Sequence, residues 1–150
     1  MRFFIAGIMQ GSHTAKAVHD QDYRRQVAML LEERFPGAEV YDPRAEHKNS
    51  LDYVELTARE VFFRHNRMCG EVDALVAVLP SASMGTAVEM WEAYRHGAAV
   101  ISISPMTHNW AVKFLSHLLY IDMDAFAEGL HSGELARTIE QVRNQPPPRV

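Results

Sequence analysis

The stretch Asp73–Pro105, DALVAVLPSASMGTAVEMWEAYRHGAAVISISP, decides the fold. It begins with an almost unbroken apolar run, Ala74 to Leu79, closed by Pro80. A run of that length without polar alternation predicts a strand buried on both faces, as in a parallel sheet. Small and polar residues from Ser81 to Thr86 suit a tight turn that feeds a helix. The spacing predicts that helix over Thr86–His96, ended at Gly97, where a left-handed residue is easily accommodated. A second apolar strand, Ala98–Ile103, runs into Pro105. The unit is strand, loop, helix, strand. Ligands of open parallel sheets bind just beyond the carboxyl ends of the strands, so Pro80–Thr86 is the expected ligand loop.

Glu89 is out of place in a purely structural unit. It falls on the first turns of a helix expected to pack Val88, Trp91 and Ala93 against a sheet. Two readings are open from spacing alone. Thr86-x-x-Glu89 has the spacing of a capping box, which makes the carboxylate a local cap. Alternatively it faces the ligand loop, where a helix N-terminus favours anions and helps keep the side chain ionised.

The segment Ser83-Met84-Gly85-Thr86-Ala87-Val88-Glu89-Met90, after a strand that opens with Asp73, resembles the signature of the nucleoside 2-deoxyribosyltransferase superfamily. That superfamily includes the transferases and the nucleotide N-glycosidases that hydrolyse nucleoside 5′-monophosphates. The likeness runs more loosely from the first strand to about Asp124. It implies that Glu89 is the nucleophile, or the stabiliser of an oxocarbenium-like sugar, in cleavage of an N-glycosidic bond.

Length and composition bound the alternatives. A chain of 150 residues, nearly half apolar, is expected to form one domain with a substantial core. Net charge is −4 and no basic cluster occurs, which argues against nucleic-acid binding. Cys69 is the only cysteine, so no internal disulfide is possible, and it reads as a buried apolar residue. No run is long enough for a membrane span. The opening MRFFIAGIMQ is too short for a signal peptide and lacks a cleavage site, so a first strand and a cytoplasmic location are expected.

Strands and helices alternate along the rest of the chain. Arg2–Ile8 reads as the first strand, followed by a glycine-containing loop that is either a phosphate or sugar loop or a plain turn. An amphipathic helix is expected over Asp20–Phe35, with Tyr23, Val27, Leu30 and Leu31 on one face. A short strand follows at Ala38–Tyr41, closed by Asp42-Pro43, and then a polar loop over Arg44–Ser50. Val54, Ala58, Val61, Phe62 and His65 recur at helical spacing within Leu51–Met68. Trp110, Phe114 and Leu118 place a short helix at Asn109–His117, before a fifth strand at Leu119–Met123. Gly129 and Gly133 are expected to separate short helical pieces, with Ser132 capping a last helix to about Asn144. Residues 145–150, QPPPRV, are expected to fray. The fold class is therefore three-layer α/β, a flavodoxin- or Rossmann-like doubly wound sheet of about five parallel strands.

The resemblance carries further implications. Six residues before the glutamate, the transferases have an aspartate for the sugar's free 5′-hydroxyl, and the nucleotide hydrolases have a serine for a 5′-phosphate. Ser83 stands there. Its hydroxyl can donate to a phosphate that a carboxylate would repel; the alternative is a simple turn residue. Ser116 best matches a second phosphate contact that the hydrolases supply across a dimer interface; the alternative is a surface hydroxyl. Phe4 stands where many members have a tyrosine, which leaves room for a 2′-hydroxyl and resembles the CMP hydrolases of the mildiomycin and blasticidin pathways. His65 stands where the transferases have an aspartate, and could protonate a departing base near neutral pH, or be a packed core histidine.

Gly7, Met9, Gln10, Gly11 and Ser12 are expected to line the first loop, with Met84, Gly85 and Asp42 also among the substrate contacts. The deoxynucleotide hydrolases use an arginine near Gln10, and its absence here puts weight on backbone N–H groups at Gly11 and Ser12, with His13 or Lys16 for charge. The expected activity is hydrolysis of a nucleoside 5′-monophosphate to free base and sugar 5-phosphate, on ribonucleotides such as CMP, with no metal or cofactor and with a homodimer sharing the site. Base exchange on 2-deoxyribose, or nucleotide sensing without turnover, are the alternatives.

Overall fold

The computed structural model describes residues 1–9 and 20–148. Five strands form one parallel sheet: β1 (Arg2–Gly7), β2 (Glu39–Tyr41), β3 (Ala74–Val78), β4 (Ala99–Ile103) and β5 (Leu118–Tyr120). Their order across the sheet is β2-β1-β3-β4-β5. Residues Ala74 to Val78 pair in register with Phe3 to Gly7 on one side and with Ala99 to Ile103 on the other. The expected fold class is the observed one.

Side chains alternate along each strand, so both faces of the sheet are apolar. Phe3, Ile5, Val76 and Ile101 point into one core, against α1 (Asp22–Arg34), α6 (Met123–His131) and α7 (Glu134–Arg143). Phe4, Leu75, Ala77 and Val100 point into the other, against α3 (Glu55–Cys69), α4 (Met84–Arg95) and α5 (Trp110–Leu115). The strand order reverses between β1 and β3, and a crevice opens beyond their carboxyl ends at that reversal.

Several local expectations are corrected. The polar stretch after β2 is partly helical: Asp42 accepts from the Arg44 amide at 2.9 Å and caps α2 (Pro43–Glu46), with Pro43 fixed in its first turn. Helix α4 buries Thr86, Met90 and Ala93, whereas Val88 and Trp91 stand largely exposed. Helix α5 buries Val112 and turns Trp110 and Phe114 to solvent. Gly129 does not break a helix. It lies inside α6 because a Cβ there would come within 2.2 Å of the Tyr120 hydroxyl. Gly133, at φ +75°, makes the break before α7. Pro147 lies against Gly97, so the tail returns to the body at least that far. Among the described residues no helix is long and apolar enough to cross a membrane.

Candidate active site

Helix α4 starts at the crevice, and its first turn sets the chemistry. Ser83 is the N-cap: its Oγ accepts from the Thr86 amide at 3.3 Å and from the Thr86 hydroxyl at 3.0 Å. With two donors already aimed at that oxygen, the Ser83 proton is left to point away from the helix. The amides of Met84 and Gly85 precede the first intrahelical bonds and carry the positive end of the helix dipole. The capping-box reading of Glu89 is overturned, because the box position opposite Ser83 belongs to Thr86.

Glu89 lies one turn further in. Gly85 and Glu89 are four residues apart and share a face of α4. Among the described residues a Cβ on Gly85 would meet no atom within 4 Å beyond its own helical turn, so on that side the glycine leaves the approach to the carboxyl open. Both residues, with Ser83, Met84 and Thr86, border a cleft of about 510 Å³. Gly7 and Met9 close it on the β1 side, and α3 with residues 43–53 forms the far wall.

Burial pushes the Glu89 carboxyl up to about 7, against a weaker downward pull from the Arg24 guanidinium. The expectation that the helix N-terminus keeps it ionised is therefore corrected. The dipole acts over the first turn, and Glu89 sits beyond it, with only part of its side chain open to the cleft. Its carboxyl therefore keeps its proton to a higher pH than an ordinary glutamate does.

Arg24 is buried beneath this site. It donates to the carbonyl oxygens of Ile5 (2.9 Å) and Gly7 (3.2 Å) and pairs with Asp42 at 3.0 Å. Asp42 is thereby occupied with Arg24 and the α2 cap, and it does not border the cleft. Gly7 is required by packing, since a Cβ would come within 2.2 Å of the Tyr23 hydroxyl.

The far wall is aromatic and basic. His65 is buried, with its ring against Phe4, Tyr41 and His47. Its Nε2 lies 3.0 Å from the Tyr41 hydroxyl. Burial, reinforced by His47 and the arginines 64 and 24, lowers its pKa to about 4. The imidazole is neutral at physiological pH, so the expected proton donation by an imidazolium is corrected to hydrogen bonding by a neutral ring.

Glu89, Ser83, Met84, Gly85, Gly7, Met9 and His65 thus meet at one cleft. Phe4 does not: it is fully buried behind the wall and stacks on Tyr41 at 5.5 Å. Nor does Ser116, whose Oγ donates to the Val112 carbonyl at 2.5 Å and lies 2.6 Å from Ser102 Oγ. Gln10, Gly11 and Ser12 lie outside the described residues, as do His13 and Lys16. Sequence reasoning missed His47, Tyr53 and the Arg24–Asp42 pair. The first two sit in a stretch with no periodicity, and only the fold brings Arg24 to Asp42. Among the described residues no group of three or more His, Cys, Asp or Glu side chains is placed to hold a metal ion. Cys69 is buried, and burial with Glu89 nearby holds its thiol far above the usual range, so it is no nucleophile.

No protein-family model matches the sequence, and no curated protein does. Among solved structures the chain is similar to the 2-deoxyribosyltransferase from the psychrotolerant bacterium Bacillus psychrosaccharolyticus, at 18% identity and a TM-score of 0.61, over 85% of this chain and 90% of that one. It is also similar to BlsM, solved in solution, at 18% identity and a TM-score of 0.68, over 96% of this chain and 94% of that one. At such identity what is shared is the fold.

Proposed function

We propose that this chain is a nucleotide N-glycosidase that hydrolyses a nucleoside 5′-monophosphate to free base and sugar 5-phosphate. The observation that carries the reading is that Glu89 opens onto the same cleft as the Ser83 hydroxyl and the free end of α4. From Ser83 to Glu89 the helix rises about 9 Å, a span over which a phosphate at the cap can set a sugar beside the carboxyl. The phosphate sits at Ser83 and the Met84 and Gly85 amides, and the sugar passes over Gly85. As the base leaves toward the wall of α3 with the electron pair of the glycosidic bond, ionised Glu89 stabilises the oxocarbenium-like carbon or bonds to it; water then attacks that carbon, frees the carboxylate, and loses a proton that ends on the departed base. The likeness to a 2-deoxyribosyltransferase fold supports a glycosyl-transferring reaction class, and Ser83 in the place of the transferases' aspartate favours the hydrolases; Phe4, buried away from the cleft, no longer argues for a ribonucleotide.

A second subunit completes the proposal. Met84 is 86% exposed and Trp110 77%, with Phe62, Phe63 and Phe114 also bare on the α3–α5 side, more apolar surface than scattered exposure explains. A homodimer through this side would bring a second chain to the mouth of the cleft.

The test is a panel of ribo- and deoxyribonucleoside monophosphates, with chromatography for free base, beside a deoxynucleoside plus an acceptor base. Base release restricted to monophosphates, lost in Glu89→Gln, upholds the reading. Transfer from unphosphorylated donors would replace it with a transferase, and tight binding without base release with a sensing module. Sedimentation as a monomer at assay concentration would remove the shared site.

A further inference from the structure

Arg64, on the outer side of the α3 wall, fixes the direction of two hydrogen-bond relays. Its Nη2 lies 2.8 Å from His47 Nε2 and 3.4 Å from the Tyr41 hydroxyl oxygen. A guanidinium has five donors and no acceptor, so both atoms must accept from it. His47 Nε2, as acceptor, forces the ring's proton onto Nδ1. That proton goes to the Tyr53 hydroxyl oxygen, 2.8 Å away. Tyr53 therefore accepts from His47 and keeps its own proton to give. In the second relay the Tyr41 proton has one acceptor among the described residues, His65 Nε2 at 3.0 Å. Making that bond puts the His65 proton on Nδ1.

Both relays thus end in donors, Tyr53 O–H and His65 Nδ1–H, with no partner among the described residues. Tyr53 and His65 border the Glu89 cleft. The His47 ring packs beside both, 5.1 Å from the His65 ring and 5.8 Å from the Tyr53 ring, and it also borders the cleft. Two donors of fixed direction beside aromatic rings favour a ligand edge that presents acceptors to them.

We propose that Tyr53 and His65, oriented through His47 and Tyr41 by Arg64, form the base-recognition wall of the cleft and select bases that present two neighbouring acceptors on one edge. This rests on reading the cleft as a nucleotide site. Cytosine, with O2 and N3, meets the condition, as do 6-oxopurines, with N7 and O6. Uracil places an N–H beside O2, and adenine an amino group beside N7, so each sets a donor against a donor. The same two donors stabilise the electron pair that the base takes as its bond to the sugar breaks. Arg64 acts as a positioning residue.

The experiment compares CMP, GMP, UMP and AMP in two ways: binding to the unreactive Glu89→Gln protein by calorimetry, and hydrolysis by the wild type. Expected is a preference of at least about tenfold for CMP or GMP over both UMP and AMP. Tyr53→Phe should shrink that preference by about tenfold while UMP and AMP binding barely change, and Arg64→Met should do the same without touching the base. Thermal unfolding of each variant separates this from a loss of fold, which would weaken all four nucleotides alike. Equal binding of the four, a preference unchanged in Tyr53→Phe, or no nucleotide binding overturns the inference. Selective, Tyr53-dependent binding without base release by the wild type upholds the wall and instead sinks the glycosidase reading.

Discussion

Arg24 pairs with Asp42 at 3.0 Å while donating to the Ile5 and Gly7 carbonyls, so one buried guanidinium ties α1 to the end of β1 and the start of α2. Its charge also acts on Glu89, lowering a pKa that burial has raised. Arg24→Met should cost about 3 kcal/mol in denaturant unfolding, less than a fully buried broken pair, because Asp42 is partly exposed to water. The Glu89 pKa should rise above about 7 without this pull. The limb of the pH–rate profile that rises with pH should therefore move to higher pH. A variant with an unmoved limb would show that Arg24 does not reach the reacting carboxyl.

Glu89 sets activity and stability against each other along pH. Its folded pKa of about 7 lies above the ordinary 4.5. Between those values the folded chain holds a proton that the unfolded chain has lost. Stability is therefore highest below the unfolded pKa and falls as pH rises through 7. The proposed reaction needs the carboxylate, so its rate should rise over the same interval. Glu89→Gln should abolish base release and, at pH 8, unfold with on the order of 1–3 kcal/mol more stability than wild type, the gain vanishing near pH 4. Equal pH dependence of unfolding in the two proteins would place the carboxyl in a wetter environment.

The sheet was legible because each strand is a short apolar run between turn residues, and parallel strands buried on both faces read that way wherever they occur. Ser83, Gly85 and Glu89 were singled out by their resemblance to a family signature, since spacing alone left Glu89 open between a helix cap and a ligand group. The opposite wall was not. His47 and Tyr53 have no periodicity to mark them, and they meet His65 only because residues 43–53 fold back over α3. Periodicity named Ala58, Val61, Phe62 and His65 as a face without telling a core from a cleft, and here that face borders the cleft. Nor does sequence carry the desolvation that sets the Glu89 and His65 pKa values, since that depends on what surrounds them in space.

Tyr23 and Gly7 are coupled. The Tyr23 hydroxyl is buried beside the Arg24 guanidinium, and it fills the space where a Gly7 side chain would stand. Tyr23→Phe should change stability by no more than about 1 kcal/mol, since the burial of the hydroxyl is offset by the Arg24 guanidinium beside it. Gly7→Ala alone should destabilise severely, and its cost should shrink in the Tyr23→Phe background, where the closest atom is gone. Additive costs in a double-mutant cycle would deny the contact.

Gly85 offers the sharpest separation of fold from function. Among the described residues nothing outside its own helical turn lies within 4 Å of a Cβ built there, and its backbone is ordinary helix. Gly85→Ala should therefore fold normally and gain up to about 1 kcal/mol from reduced chain entropy in the unfolded state. Gly85→Leu should also fold, but its side chain would stand over Glu89 in the path assigned to the sugar. Its kcat/KM should fall at least about tenfold, chiefly through KM, if ground-state binding is what is blocked. Unfolding midpoints at or above wild type for both variants, with activity lost only as the side chain grows, would place the substrate over this turn. Full activity in a folded Gly85→Leu would mean that the sugar reaches Glu89 from another side.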